Sequence, residues 1–351
     1  MWVHHWHGFL KSRLLWNVTA AIVAGLLLGR VLEPQRHGYG DILTTAMMVS
    51  VFLMIYPMMV TIRLEAFGEA AGNVRGLLLS LAYNFVWAPL FGFVLAAAFL
   101  HQPEVAFGFL LVMTVPCSAM TVRYVGLAKG NVELATLVVA ISFLLSLVAV
   151  PFWLALLGGA FDIPIPYASL GQAIITMLVL PMALGYLTRR RLIVRLGGEG
   201  FQRMMPVFPA ATMTAMLVTI FLIFFLKATI LLDQWPLMLW LMVPNALFMA
   251  GTFLLVTVLD RTLGLSYGDN MTIAFASTGK NNATALAIAT AAFSPMVAVP
   301  AATLPIFQIV FMIFYLRLAP WLRTMFRPAP TGATAIPVIH PHSHGNIGRQ
   351  P

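Results

Sequence analysis

The chain has 351 residues, of which 61% are hydrophobic and only 9% are charged. Soluble domains carry about 25% charged residues, so this composition excludes an ordinary soluble enzyme. The net charge of +9 is spread over short breaks between long apolar stretches, unlike the clustered basic surface of a nucleic-acid-binding protein. The single Cys excludes a disulfide framework and any multi-cysteine metal centre. This is the composition of a polytopic helical membrane protein.

Ten apolar segments follow one another along the chain, and a membrane-spanning helix needs roughly 20 such residues. The segments are residues 14–32, 41–62, 76–100, 105–127, 131–158, 168–188, 206–231, 236–259, 270–293 and 296–322. Residues 1–13 are expected to form a cytoplasmic segment. Residues 323–351 are rich in Pro and His, which predicts a disordered cytoplasmic tail. The sequence therefore predicts an all-α protein with ten spans.

The positive charges predict how these spans are oriented. Sixteen of the 20 Lys and Arg residues fall on one side of the predicted membrane, three fall on the other, and Lys280 lies within a span. Loops rich in Lys and Arg remain in the cytoplasm. We therefore expect a multi-pass protein of the cell (inner) membrane with both termini in the cytoplasm.

A short loop between spans five and six divides the chain into two sets of five, residues 14–158 and 168–322. Because five is odd, the second set enters the membrane with opposite polarity, as in the inverted repeats of secondary transporters. Span four is interrupted near its middle at Pro116, and span nine is interrupted at the corresponding place by Gly279. Pro breaks the backbone ladder and Gly weakens a helix. Matching mid-span breaks predict the binding site of a transporter.

Lys280 is the ionisable side chain expected at mid-membrane depth. All eleven acidic residues lie in loops or near span ends. No carboxylate is therefore expected at mid-membrane depth to balance the charge of a bound Na⁺, which argues against a Na⁺-driven mechanism. An ionisable residue inside a bilayer is costly and marks a functional site by default. Lys280 is predicted to attract an anionic substrate, to exchange a proton, or to stand in for a bound cation. The structural alternative is that its ammonium group bonds carbonyls freed by the broken helix.

Cys117 and Ser118, beside the first break, are candidate substrate-binding residues. Cys117 follows Pro116, which predicts that the thiol lies in the first turn of a second half-helix. Cysteine sulfur is a soft ligand that suits thiophilic metalloids. The alternative is that Cys117 is a small buried hydrophobe, the commoner fate of a free Cys. Asn281 and Asn282, beside the second break, are expected to bind substrate, to cap a half-helix, or both.

The remaining polar residues give weaker signals. Arg123 and Lys227 are expected to extend toward the membrane interface, and Arg123 alternatively guides charged solutes into an inner vestibule. The His residues near both termini have no Cys or acidic partners at ligand spacing, so no metal site is predicted. No Ser/His/Asp set, His-Glu-x-x-His motif or soluble signalling domain is present, so neither an enzyme nor a cofactor is expected.

Around these breaks the sequence resembles the bile acid/sodium symporter superfamily, especially its arsenite permease branch. The matching stretches are Met-Ile-Tyr-Pro at 54–57, Val-Pro-Cys-Ser-Ala-Met at 115–120, Leu-Ala-Lys-Gly-Asn at 127–131, and the paired Asn281-Asn282. The resemblance covers most of residues 14–322 in span order. It implies ten helices in a panel domain and a core domain, with the fourth and ninth helices crossing in the core. It also implies that Cys117 matches the Cys that the arsenite permeases carry in span four.

Four positions depart from the family pattern. Thr284 stands where the arsenite permeases place an acidic residue, and Ser277 stands where the sodium symporters place a Na⁺-binding Glu. Val122 replaces the Asn that the sodium symporters carry in span four, and Lys280 replaces a neutral residue. These departures argue against Na⁺ coupling and against the proton exchange that is usual for the permeases.

The expected function is secondary transport of a small solute, with Arg123, Ser277 and Thr284 as secondary site candidates. The leading hypothesis is arsenite-type metalloid efflux without Na⁺ coupling. The alternative is a sodium-independent organic-anion transporter, in which Lys280 and the half-helix N-termini hold a carboxylate. The expected partners are therefore a metalloid oxyacid or an organic anion and the lipid bilayer, without nucleic acid. The sequence sets no oligomeric state.

Overall fold

The computed structural model describes residues 14–32, 39–61, 73–226, 228–233 and 235–326. Within these ranges the regular structure is helical. In chain order the helices are α1 (Leu14–Leu32), α2 (Gly40–Thr61), α3 (Val74–Phe99), α4 (Pro103–Thr114), α5 (Met120–Leu127), α6 (Val132–Leu157), α7 (Tyr167–Met204), α8 (Val207–Leu226), α9 (Ala228–Asp233), α10 (Trp235–Trp240), α11 (Met242–Thr262), α12 (Tyr267–Thr278), α13 (Asn282–Ala292), α14 (Pro295–Arg317) and α15 (Ala319–Met325).

Six helical stretches in the described residues are long and apolar enough to cross a membrane. They are Val74–Phe99, Val132–Phe161, Tyr167–Met204, Val207–Leu226, Trp235–Thr262 and Pro295–Arg317. Shorter apolar helices account for the predicted spans one, two, four and nine. Spans four and nine fall in the shorter class because each is split in two. The predicted class, an all-α polytopic membrane protein, is confirmed.

Some sequence expectations concern residues outside the described ranges. These are the N-terminal segment 1–13, the side chain of Lys227, and the tail beyond residue 326. The start of the predicted tail is helical, since α15 continues to Met325.

The sixth span is longer than predicted. The segment 168–188 was expected to end before the arginine cluster, but α7 remains helical through Arg189, Arg190 and Arg191 and ends only at Met204. Its axis turns at Gly197, which has a φ of 71°. Glycine adopts this left-handed conformation without a steric penalty. The basic residues therefore extend a helix instead of forming a loop.

The helices pack in two groups. In one group α1 and α2 pack with α8, and α7 packs with α2; in the other, α3 to α6 pack with α11 to α14. In the first group, Gly25 and Gly29 let α1 approach the α8 backbone closely. A Cβ on Gly29 would stand 2.2 Å from the Phe225 carbonyl oxygen, and one on Gly25 would stand 2.7 Å from that of Phe221. Two glycines four residues apart favour such close helix packing in membranes.

A five-residue π-helical turn, Tyr83–Trp87, interrupts α3. Such turns are frequent at functional sites because they free backbone carbonyls from the α-helical ladder. This turn belongs to the second group, whose broken helix α13 also contacts α2 and α7 of the first group. The broken helices therefore lie where the two groups meet.

Candidate functional site at the two helix breaks

The two predicted interruptions are present, and they meet each other. The segment between α4 and α5 pairs with the segment between α12 and α13. The Ser118 amide donates a hydrogen bond to the Gly279 carbonyl at 2.7 Å, and the Asn281 amide donates to the Pro116 carbonyl at 2.9 Å. Cys117 thereby lies opposite Lys280 in an isolated antiparallel bridge. This bridge satisfies backbone groups that would otherwise be unpaired in an apolar environment.

Gly279 is required by this close approach. Its φ is −78°, so its backbone conformation is open to any residue. A Cβ at this position, however, would stand 2.6 Å from the Thr121 hydroxyl and 2.7 Å from the Phe275 carbonyl oxygen. The absence of a side chain lets the two broken segments come into contact.

The position of Cys117 differs from the sequence prediction. The second half-helix begins at Met120 and not directly after Pro116, so Cys117 is extended and does not lie in a first helical turn. The reason is the bridge, which holds this backbone against Lys280. The thiol is fully buried and shares a 3.3 Å hydrogen bond with the Ser142 hydroxyl of α6.

Lys280 is 2% exposed, and its ammonium group is held by oxygen atoms. It donates to the carbonyl oxygen of Asn84 at 2.9 Å, to the side-chain oxygen of Asn84, and at 3.5 Å to the carbonyl oxygen of Val115. Asn84 lies in the π-helical turn of α3, and Val115 follows the end of α4. Three oxygens around one cationic group are a typical way to hold charge in a low-dielectric interior. The arrangement resembles a cation site whose cation is the ammonium group.

A cavity of about 130 Å³ opens beside the bridge. It is lined by α2, α8 and α14 and by both breaks. Four of the predicted site residues line it, namely Ser118, Lys280, Asn281 and Asn282. Five methionines also line it: Met58, Met120, Met213, Met216 and Met312. The wall is therefore rich in soft thioether sulfur.

The polar groups of the cavity wall are partly engaged with one another. Asn281 caps α13, since its side-chain oxygen accepts from the Thr284 amide at 3.2 Å. Asn282 donates to the side-chain oxygen of Gln308 at 3.0 Å. The remaining side-chain oxygen of Asn282 and the hydroxyl of Thr212 have no hydrogen-bond partner among the described residues. Both are buried polar atoms without a partner, on residues that line the cavity.

Three secondary candidates lie away from the cavity. Arg123 is exposed on α5. Ser277 is buried and donates to the Ile273 carbonyl of its own helix at 2.7 Å. Thr284 is buried in α13, and its hydroxyl has no partner among the described residues. The structure therefore brings together Pro116, Gly279 and the four lining residues, and leaves these three outside the cavity wall.

The sequence reasoning missed three residues. Asn84 was a readable signal, because it is a lone amide within the apolar third span. Gln308 gave a similar signal within the tenth span. Asp260 was placed near a span end, as the structure has it, but its complete burial was not foreseen. Burial depends on neighbouring helices, which the local sequence does not specify.

These features define a class, a polytopic helical membrane protein with a largely apolar cavity at two broken helices. The model of the Sodium Bile acid symporter family matches residues 48–234, and the chain belongs to this family. Proteins of this family are membrane transporters and not enzymes.

Three relatives are informative. The Arsenical-resistance protein Acr3 of Alkaliphilus metalliredigens is 26% identical over 244 residues, which are 65% of this chain and 68% of the relative. The Arsenical-resistance protein Acr3 of Corynebacterium glutamicum is 24% identical over 301 residues, 82% of this chain and 81% of the relative. An uncharacterised transporter of Synechocystis sp. is 27% identical over 313 residues, 81% of this chain and 80% of the relative.

Proposed function

We propose that this transporter exports a small, neutral metalloid hydroxide of the arsenite type and does not use Na⁺. The chain would cross the membrane ten times as two inverted repeats of five helices, with both termini in the cytoplasm. The paired breaks, one in each half, support this architecture.

The cavity wall is the observation that carries the substrate proposal. Five lining methionines favour a soft, thiophilic solute, and the sulfur of one of them, Met58, accepts from the Asn281 side-chain amide at 3.5 Å. The side-chain oxygen of Asn282 is a buried acceptor without a partner, and a small turn of this side chain would present it to the cavity. Arsenous acid, which is neutral at physiological pH, carries hydroxyl groups that would donate to it. The volume of about 130 Å³ is below the roughly 300–1,000 Å³ of pockets that hold drug-sized ligands. Two of the relatives are named for arsenical resistance, which agrees with this assignment.

Cys117 has a conditional role in this proposal. Its thiol is closed off from the cavity, although the next residue, Ser118, lines it. Cys117 therefore binds the metalloid only if the bridge opens during transport. Cys117→Ser keeps the hydrogen bond to Ser142, so a loss of arsenite transport with normal protein level would assign a ligand role. Full transport would leave Cys117 as a packing residue.

Independence of Na⁺ is supported by Lys280. The oxygens of Asn84 and Val115 are of the type that coordinates Na⁺, and they are already engaged with an ammonium group. A further cation at this place would meet like-charge repulsion.

The organic-anion alternative has one observation in its favour: α5 and α13 both begin at the cavity, and helix N-termini attract anions. Against it, the Ser118 hydroxyl accepts from the Met120 amide and Asn281 caps α13, so these N-termini are partly satisfied. Lys280 is the charged side chain among the described residues lining the cavity, and its ammonium group is engaged with oxygens.

The deciding experiment is solute flux into proteoliposomes that contain the purified full-length chain. Arsenite and a panel of carboxylate anions are each offered under separately imposed Na⁺ and proton gradients. We expect arsenite flux that exceeds that of protein-free vesicles and does not depend on Na⁺. Asn282→Leu should reduce this flux, while Leu196→Ala, a change at an exposed site outside the cavity, serves as the matched control. Carboxylate flux without arsenite flux would refute the metalloid proposal.

A further inference from the structure

Asp260 is a buried carboxyl group that the mechanism above does not use. It lies in the last turn of α11 and is 0% exposed. The Tyr83 hydroxyl is the one donor that faces its carboxyl group, without reaching full hydrogen-bond geometry, and no ion pair of Asp260 is found among the described residues. An ionised carboxylate in a protein interior is normally paired with a cation or with several donors. Asp260 has neither in this conformation.

Apart from Tyr83, the groups around Asp260 are engaged elsewhere. The titratable and charged groups that face it are Tyr83 and Arg75 of α3, Asp269 of α12 and Tyr315 of α14.

Arg75 donates to the Leu263 carbonyl at 2.8 Å. Asp269 accepts from the amides of Asn73 and Asn131 at 2.7 and 3.0 Å.

Tyr315 shares a 2.7 Å hydrogen bond with Thr257 and donates to the side-chain oxygen of Asn270 at 3.3 Å. Arg261, the next residue on the same helix as Asp260, is exposed. None of these groups neutralises Asp260 by direct contact.

One structural element joins Asp260 to the candidate site. Tyr83, which faces Asp260, is the first residue of the π-helical turn of α3. The second residue of that turn, Asn84, holds the ammonium group of Lys280. A change of charge at Asp260 therefore acts on the turn that positions Lys280 at the crossing of the broken helices.

We propose that Asp260 is the proton-carrying group of this transporter, supplying the carboxylate that is absent at Thr284. The inference rests on the proposed function. In this conformation Asp260 is a neutral carboxylic acid. When the helices rearrange and water reaches it, its O–H bond breaks, the proton passes to water, and a carboxylate remains. Water on the opposite side returns a proton in the next half of the cycle, so that one proton is exchanged for one neutral solute.

The test compares the unmodified chain with Asp260→Asn in proteoliposomes. Two quantities are measured: arsenite accumulation driven by a pH step, and arsenite counterflow at equal pH on both sides. Exchange of a proton for a neutral solute moves net charge, so the membrane potential is clamped at zero with K⁺ and valinomycin. A pH step of about one unit then sustains an about tenfold concentration ratio for a one-to-one exchange, because each decade of proton activity is a factor of ten in the equilibrium. We expect that ratio in the unmodified chain and a ratio of about one in Asp260→Asn, which should retain counterflow.

The matched control is Glu199→Gln, which removes an exposed carboxylate of α7 and should accumulate arsenite normally. If Asp260→Asn still accumulates arsenite like the unmodified chain, Asp260 is not the coupling group, whereas the proposed function stands.

A second readout needs no substrate. Infrared difference spectra of the purified chain during a pH titration should show the C=O stretch of a protonated carboxyl group that is missing in Asp260→Asn. Should that variant fail to fold, Asp260→Glu, which shifts the band, replaces it. A band that does not change in either variant, or one that Na⁺ removes at fixed pH, would overturn the inference. If the unmodified chain does not move arsenite at all, the proposed function fails and the spectra still decide the protonation of Asp260.

Discussion

At the scale of single residues, Lys280 is a buried cationic side chain that is held entirely by oxygens from other segments. Its donors satisfy two oxygens of Asn84 and one of Val115. The hydrogen bonds to Asn84 and Val115 would therefore serve both a structural role and a functional role of Lys280. The carbonyl oxygen of Asn84 is free to accept because the π-helical turn removes it from the regular ladder.

Lys280→Met should destabilise the protein. The substitution leaves acceptors in an apolar interior without a donor, which we expect to lower the free energy of unfolding by about 2 kcal/mol. Thermal unfolding in detergent measures the effect, and Lys129→Met, at an exposed lysine, is the control. Equal midpoints for the two variants would show that the ammonium group adds no stability.

Cys117 should react slowly with a membrane-permeant maleimide. The thiol is 0% exposed and engaged with Ser142, so the folded chain protects it. Because it is the only Cys of the chain, the labelled fraction reports on this position alone. We expect labelling to be much slower in the folded than in the denatured protein. Rapid labelling at rest would mean that the bridge to Lys280 opens spontaneously.

The sequence identified the residue types at the site but not their partners. Pro116, Gly279 and the polar residues beside them were recognisable because each is unusual within an apolar span. The partner of Lys280, Asn84, lies 196 positions away in the chain. A contact over that separation depends on how helices pack, and a single sequence specifies this packing only weakly.

At the scale of elements, apolar length predicted where the helices lie, while backbone details were not predictable. The π-helical turn at Tyr83–Trp87 lies just before Pro89, which marks a distortion of the helix but does not specify its type. The non-helical run from Val115 to Ser118 is set by its pairing with Gly279 and Asn281, which overrides the preference of Pro116 to begin a helix. The pairing between the two broken segments thus determines the backbone conformation of both.

Gly29→Ala should loosen the contact between α1 and α8. The added Cβ would stand 2.2 Å from the Phe225 carbonyl oxygen, so the backbones must separate, at an expected cost of about 1–3 kcal/mol. The matched control is Gly171→Ala in α7, where a Cβ meets nothing within 4 Å. That control should be neutral or more stable by about 0.5–1 kcal/mol, because Ala favours the helix. Thermal unfolding of both variants checks the difference, and equal destabilisation would contradict the close packing.

At the scale of the whole molecule, the distribution of charge indicates the orientation of the chain, and the position of the cavity indicates where a solute would gain access. The excess of Lys and Arg on one side predicts the orientation of the chain. The cavity lies between the two groups of helices, where relative movement would expose it to alternate sides. A transporter that works by alternating access needs both a fixed orientation in the membrane and a cavity between two parts that move.

The termini are expected in the cytoplasm. Fusion of a reporter at residue 335 should give a signal from the cytoplasmic reporter and none from a periplasmic one, because the flanking Arg residues favour retention. A fusion in the loop between α1 and α2, at residue 36, should give the opposite result and serves as the control. Periplasmic activity at residue 335 would reverse the proposed topology.

Transport should proceed equally well when K⁺ replaces Na⁺ at fixed pH. The oxygens that a Na⁺ would use at the crossing are engaged by the Lys280 ammonium group, so the alkali cation has no role there. Lys280→Ala removes that charge and should abolish arsenite flux in either salt, while Lys129→Ala should leave it unchanged. Lys280→Gln separates the two roles, since its amide still donates to the Asn84 oxygens but carries no charge. If Lys280→Gln transports normally, hydrogen bonding alone explains the residue. If the unmodified chain requires Na⁺, the ammonium group does not replace a transported cation.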